Sequence, residues 1–146
     1  MKFIKMAVVA CASAVLVATA TVAPAEALSA PKTASVLKTA AKYKGTPYRW
    51  GGTSPKGFDC AGYTRYVYKK AIGKKLPRVA GAQARKGRSV AKSKKKPGDL
   101  IVFTRGSHVY HVGIYAGGGK IWHAPRPGKK VEKVKLWTSA YKVRRF

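Results

Sequence analysis

The sequence predicts an α+β domain in which N-terminal helices pack on an antiparallel sheet. Three observations carry that prediction. Segments with helical spacing come first, and segments with strand character follow. Short, glycine-rich turns separate the strands and suit hairpins. Hydrophobic residues make up 46% of the 146 residues, enough for one core and one ordinary domain.

Residues 1–27 read as a signal peptide. Lys2 and Lys5 form a positive start, Met6 to Ala20 is an apolar run, and Ala25-Glu26-Ala27 gives a small-x-small cleavage pattern. The apolar run is short for a membrane span of about 20 residues. The domain is then expected to occupy 28–146. Within it, Thr33 to Lys44 reads as a helix: Val36, Leu37, Ala40, Ala41 and Tyr43 share a broad face, Pro31 suits an early position, and Gly45 can stop it. Residues 45–58 are dense in Gly, Pro and Ser and read as loop. A second helix fits 60–72, with Asp59 as N-cap, Tyr63, Val67 and Ala71 on one face, and Gly73 at its end. Residues 74–98 read as a solvated basic loop. Pro97-Gly98-Asp99 turns the chain into strands at Leu100 to Phe103, Val109 to Tyr115 and Lys120 to Ala124. Gly117-Gly118-Gly119 joins the last two as a hairpin. Val131 to Leu136 and Lys142 to Phe146 complete a sheet of about five strands.

The formal net charge is +27, from 31 Lys+Arg against four Asp+Glu. Without residues 1–27 the chain keeps 119 residues, 29 Lys+Arg, three acids and +26. So much self-repulsion calls for an anionic partner or surface. Twelve Lys or Arg and no acid lie between Lys69 and Lys96. Nucleic acid is the first partner such charge suggests, but export leaves little of it to bind, so none is expected. A mean hydropathy of -0.21 excludes a multi-span membrane protein, and no stable membrane insertion is expected after cleavage. Two cysteines exclude a disulfide scaffold and a four-cysteine zinc site. Export removes Cys11 and leaves Cys60 alone.

Cys60 follows Asp59 at the start of the second helix. Free backbone N–H groups and the positive end of the helix dipole favour a thiolate there, and basic surroundings push the same way. Position alone does not separate such a thiol from a small buried hydrophobe. The histidines do. A hairpin symmetric about Gly117 sets His111 opposite His123, on one face, with Cβ atoms about 4.5–5.5 Å apart. His111 is then placed to take the thiol proton, and His123 to fix its tautomer. Zinc held by Cys60, His111 and His123 is the rival reading. His108 lies three residues from His111, on the other face of a strand. Tyr48, in Pro47-Tyr48-Arg49-Trp50-Gly51-Gly52, is a candidate donor to an oxyanion alongside the Cys60 N–H. Simple loop packing by Tyr48 and Trp50 is the alternative.

Four ordered blocks now stand out: GTPYRWGGTSPKGFDCAGYTRYVY (45–68), LPR (76–78), PGDLIVF (97–103), and HVGIY with IWHA (111–115 and 121–124). Together they resemble the NlpC family of bacterial cell-wall cysteine peptidases, over about Ala34 to Phe146. The resemblance implies a papain-like fold, with Cys60 as nucleophile, His111 as general base, His123 as the orienting third residue and Tyr48 at the oxyanion site. It implies cleavage of peptidoglycan stem peptides, commonly between γ-D-Glu and the diamino acid, through a thioester and without metal or organic cofactor. Ala61 stands where the block often has Ser, and His108 falls outside the pattern. A secreted, wall-associated location follows, with the basic surface drawn to teichoic or related acidic polymers. The competing readings are a non-enzymatic basic protein that binds such polymers or nucleic acid, and an amidase, transferase or toxin on the same fold.

Overall fold

The computed structural model describes residues 28–146 together with Ala14 and Val15. Apart from those two positions, the signal peptide expected at 1–27 lies outside the described residues. Helix α1 (Ala30–Lys42) starts three residues before the expected Thr33, because Ser29 caps it and Pro31 fits its first turn, where no N–H is needed. It buries Val36 and Ala40. Helix α2 (Cys60–Ile72) has the expected bounds. The Asp59 side chain accepts from the Gly62 amide at 2.7 Å, and Gly73 closes the helix in the left-handed region at φ 67. The two helices are tied by polar bonds as well as packing. Tyr63 donates its hydroxyl to the Ala40 carbonyl, and Ser35 donates to the Ala71 carbonyl, each at 2.9 Å.

The loop between the helices contains a minimal hairpin, β1 (Thr53–Ser54) with β2 (Gly57–Phe58). The segment 74–98 departs most from its sequence reading. It is not a solvated loop but holds α3 (Ala80–Arg85), β3 (Arg88–Val90) and a 3-10 turn over Lys92–Lys94. A buried amide anchors α3 beside the small apolar contacts of Ala80 and Ala84. Gln83 is fully buried; its Nε2 donates to the Ala61 and Pro77 carbonyls at 3.0 and 2.9 Å, and its Oε1 accepts from Thr64 Oγ1 at 2.8 Å. Hydrophobic periodicity does not mark a helix held this way.

The main sheet adds β4 (Leu100–Arg105), β5 (His108–Gly117), β6 (Lys120–His123), β7 (Glu132–Lys135) and β8 (Tyr141–Arg145). Its order is β3-β8-β4-β5-β6-β7, antiparallel at every pairing. The sheet has six strands rather than five, and the added one is β3. Leu100, Val102, Val112, Ile114 and Trp122 join the helical residues in one core. Ile101, Phe103, Tyr115, Ile121, Tyr141 and Val143 form a second cluster. Leu100 to Phe103 therefore reads as a continuous apolar run because it is buried on both faces. At its start, buried Asp99 receives Arg145 through Nε and Nη2, both at 2.7 Å, which pins β8 to β4.

The first turn of α2 touches the preceding loop through bare backbone. A Cβ at Gly62 would stand 2.0 Å from the Gly52 carbonyl oxygen, which also accepts from the Asp59 amide at 3.0 Å. In an open helix, glycine to alanine stabilises by about 1 kcal/mol. Here the sign reverses: Gly62→Ala is expected to cost about 1–3 kcal/mol in urea denaturation. A neutral or stabilising outcome would disprove the close approach.

Candidate active site

Cys60 is the first residue of α2 and its thiol is half-buried. The Val112 amide of β5 reaches that thiol, so Cys60 lies against β5 one residue from His111. Burial pushes the thiol above its ordinary value, and the Asp59 charge adds to this. The amides of Val112, Ala61 and Cys60 pull the other way without cancelling it. This corrects the sequence expectation of a favoured thiolate. The helix donors are present, but the carboxylate that caps the helix brings negative charge to the same place. The nearby cation is also engaged: Arg78 binds Asp59 through Nη2–Oδ2 at 2.7 Å and Nη1–Oδ1 at 3.2 Å.

His111 and His123 are both buried, and His111 Nε2 lies 2.8 Å from His123 Nδ1. They are not directly opposite, as symmetry about Gly117 would require. Strand β5 pairs Ile114 with Trp122 and Tyr115 with Ile121, and a bulge separates Tyr115 from Gly117. The turn closes at Gly118-Gly119 with Gly117 paired to Lys120, and past the bulge the pairing lies two residues from symmetry about Gly117. An even offset keeps both side chains on the same face, and the rings meet on a diagonal. Directly across from His123 on β7 is Glu132, with Oε1 3.4 Å from His123 Nε2. A carboxylate only accepts, so His123 carries its hydrogen on Nε2. Its Nδ1 then accepts from His111 Nε2–H, which leaves His111 Nδ1 as a bare lone pair. Burial, and then repulsion from His123, holds the His111 pKa down to about 3. Burial lowers His123 as well, against the pull of Glu132. Both rings are therefore neutral near pH 7.

An aromatic wall covers the pair. Trp137 stacks on Phe103 with ring centroids 4.3 Å apart, and approaches the His111 and His123 rings at 6.0 and 5.5 Å. Beside it opens a cavity of about 700 Å³, lined by both histidines, Tyr110, Arg126, Lys129 and Trp137 among others. Tyr48 sits on the Cys60 side. Bridges from Pro47 to Lys130 and from Tyr48 to Phe58 hold its loop, and its amide donates to the Lys129 carbonyl at 2.8 Å. Burial raises the Tyr48 phenol, with the charges of Cys60 and Asp59 adding and Arg78 opposing. The phenol is thus within electrostatic reach of the thiol.

The sequence-predicted residues divide into two sets, Tyr48 within electrostatic reach of Cys60 and His111 bonded to His123, joined where Cys60 meets Val112. Trp50 is 87% exposed and does not pack the loop, and His108 is exposed at the start of β5. Sequence reasoning missed Glu132 and Trp137. Glu132 had one available signal, as one of three acids beyond residue 27. Trp137 lies between β7 and β8, where no periodic pattern singles it out. Among the described residues no group of three or more His, Cys, Asp or Glu is arranged to hold a metal ion.

A half-buried thiol opening a helix, with an oriented imidazole pair on the adjoining sheet, defines a site suited to nucleophilic acyl transfer. The chain belongs to the NlpC/P60 family, whose profile matches residues 45–146. It is 42% identical over 110 residues to the gamma-D-glutamyl-L-lysine dipeptidyl-peptidase of Bacillus subtilis, covering 73% of this chain and 36% of that protein. It is 42% identical over 112 residues to Protein P54 of Enterococcus faecium, covering 75% of this chain and 22% of that protein. The chain thus spans well under half the length of these relatives. Among solved structures, the NlpC/p60 domain of the peptidoglycan hydrolase SagA superposes with a TM-score of 0.71 at 39% identity, covering 77% of this chain and 97% of that domain.

The buried imidazole makes stability depend on pH. Folded, His111 stays neutral down to about pH 3; unfolded, it takes a proton near its ordinary 6.5. The unfolded state binds the extra proton between those values. Stability is complete above the upper value and falls as pH drops toward the lower, by up to ~1.4 kcal/mol per pH unit. Urea denaturation across this range should show a smaller loss for His111→Gln than for wild type. Equal losses would reject the buried, neutral ring.

Proposed function

We propose that the protein is a secreted, wall-associated peptidoglycan hydrolase. It acts as a cysteine endopeptidase on stem peptides, at the bond between γ-D-Glu and the diamino acid. The reading includes a signal peptide at 1–27 and a single catalytic domain at 28–146. The observation that carries it is the buried His111–His123 bond, backed by Glu132, beside the thiol that opens α2. The names of the relatives support the substrate class.

In this scheme His111 Nδ1 takes the Cys60 proton as Sγ attacks the carbonyl carbon. The thiol and imidazole start neutral, so proton transfer accompanies attack rather than preceding it. The tetrahedral oxyanion accepts from the Cys60 N–H and the Tyr48 hydroxyl. His123 and Glu132 stabilise the imidazolium that forms. His111 then gives its proton to the leaving amine as the C–N bond breaks, leaving a thioester. Water loses a proton to His111 and attacks the thioester, and Cys60 departs with that proton restored. The scheme calls on no metal or organic cofactor. The +26 of residues 28–146 would hold the enzyme on anionic wall polymer.

Cys60→Ala should abolish release of stem-peptide fragments from purified peptidoglycan, read by mass spectrometry of defined muropeptides. His111→Ala should lower it by about 10²–10⁴-fold. The assignment fails if Cys60→Ala is as active as wild type, or if chelators stop the reaction while thiol blockers do not. Cleavage of the amide bond that joins the stem peptide to the glycan would instead identify an amidase. Wall binding should weaken as salt rises, because screening shortens the reach of exposed charge. Binding that is unchanged from low to high salt would reject the electrostatic part.

A further inference from the structure

We propose a second binding site, separate from the thiol and histidines: a cationic groove that holds a phosphodiester polymer of the cell wall. The proposal rests on the wall location proposed above and adds the place and chemistry of the contact. A cavity of about 630 Å³ is lined by Arg65 of α2, Lys74, Lys75 and Arg78 of the segment between α2 and α3, Lys86 after α3, and Arg145 of β8. Cys60, His111, His123 and Tyr48 do not line it.

Two of the six cations in this groove, Arg78 and Arg145, are paired within the protein, and the other four meet no Asp or Glu. The described residues contain three acids: Asp59, Asp99 and Glu132. Asp59 is engaged by Arg78, Asp99 by Arg145, and Glu132 lies beside His123. Arg65, Lys74, Lys75 and Lys86 are left to line one cavity with no acid on them. Arg65 adds an independent sign. Its Nε is shut off from solvent and has no hydrogen-bond partner. A buried donor left unpaired is costly, and movement of the half-buried Arg65 side chain toward a phosphate in the groove would relieve that cost. Four like charges gathered around one open cavity repel each other, and an anionic ligand removes that cost.

Two features select the ligand. The cations come from several chain segments around the cavity, which suits recurring anionic groups along a polymer rather than one small ion. The ring that lines the groove, Phe146, packs edge-on against Tyr68. Trp50 and Trp137, the exposed tryptophans, do not line it. Single-stranded nucleic acid is held by stacking of successive bases on several aromatic faces, and one aromatic ring lines this groove. A polyol phosphate chain needs only the charges. Because the groove and the active site share no residue, polymer bound in one leaves the other open to substrate.

The test compares two variants that lose the same charge. In one, Arg65, Lys74, Lys75 and Lys86 are each changed to Gln. In the other, Lys32, Lys38, Lys44 and Lys120, exposed residues outside the groove, are changed to Gln. Binding of poly(glycerol phosphate) to the full-length protein is measured by calorimetry at low and moderate salt, with single-stranded DNA as a parallel ligand. The groove variant should lose at least about tenfold in affinity and show a shallower salt slope, while the other loses under about threefold. Equal losses would overturn the site in favour of diffuse charge. DNA bound as tightly as the polymer, and lost in the same variant, would overturn the choice of ligand. If the groove variant fails to fold by circular dichroism, Lys74→Gln with Lys75→Gln against Lys32→Gln with Lys38→Gln makes the same comparison with surface residues. Muropeptide hydrolysis by the wild-type protein separates the two proposals. Hydrolysis without polymer binding rejects the groove alone, and binding without hydrolysis rejects the enzymatic reading alone.

Discussion

Asp59 is the constraint on which the site depends. Its side chain caps α2 through the Gly62 amide, its own amide donates to the Gly52 carbonyl, and its carboxylate clamps Arg78. These three bonds fix where the helix starts, how the Tyr48 loop lies on it, and where the 76–78 segment passes. Cys60 is the next residue, so its position follows from theirs. The same carboxylate has an electrostatic cost. It sits beside the thiol and adds to the effect of burial, so the helix terminus that positions the sulfur does not also ionise it.

The base therefore has to come from the sheet. Three side chains in sequence set its protonation: Glu132 accepts from His123, His123 accepts from His111, and the free lone pair falls on His111 Nδ1. Each member comes from a different strand, and each strand fixes one ring or carboxylate by its register. Trp137 and Phe103 add an aromatic wall beside the rings. The chain works as a unit because a misplaced hydrogen at Glu132 would propagate to the base.

Much of this was legible in the residues, for reasons that are local. The bounds of α2 follow from Asp59 and Gly73, and the strand at Leu100 to Phe103 follows from four apolar residues after Pro97-Gly98-Asp99. The same-face placement of His111 and His123 was also legible, because parity survives an even register shift; the pairing itself was not, because three glycines do not say which two form the turn and the bulge at Ala116 leaves no side-chain mark. Non-local features were hidden. Gln83 organises α3 through two carbonyls and a threonine hydroxyl, none of which hydropathy registers. Glu132 gained its role only from the β6–β7 register, and the raised thiol only from how deeply Cys60 is seated.

The distribution of acids explains how so basic a chain can fold around this site. Each of the three acids in the described residues is placed at a structural joint: Asp59 at the start of α2, Asp99 at the start of β4, Glu132 behind the imidazoles. Two of them meet arginine in a two-point contact, the geometry in which a single carboxylate does most to fix a joint. The third faces a histidine, where it favours the charge that must appear in the reaction. In a field as positive as this one, an imidazolium forming without a neighbouring carboxylate would be opposed by every surrounding lysine. Glu132 screens the forming charge at short range. Arg65, Lys74, Lys75 and Lys86 meet none of these acids and line one groove, where charge from outside the molecule can reach them.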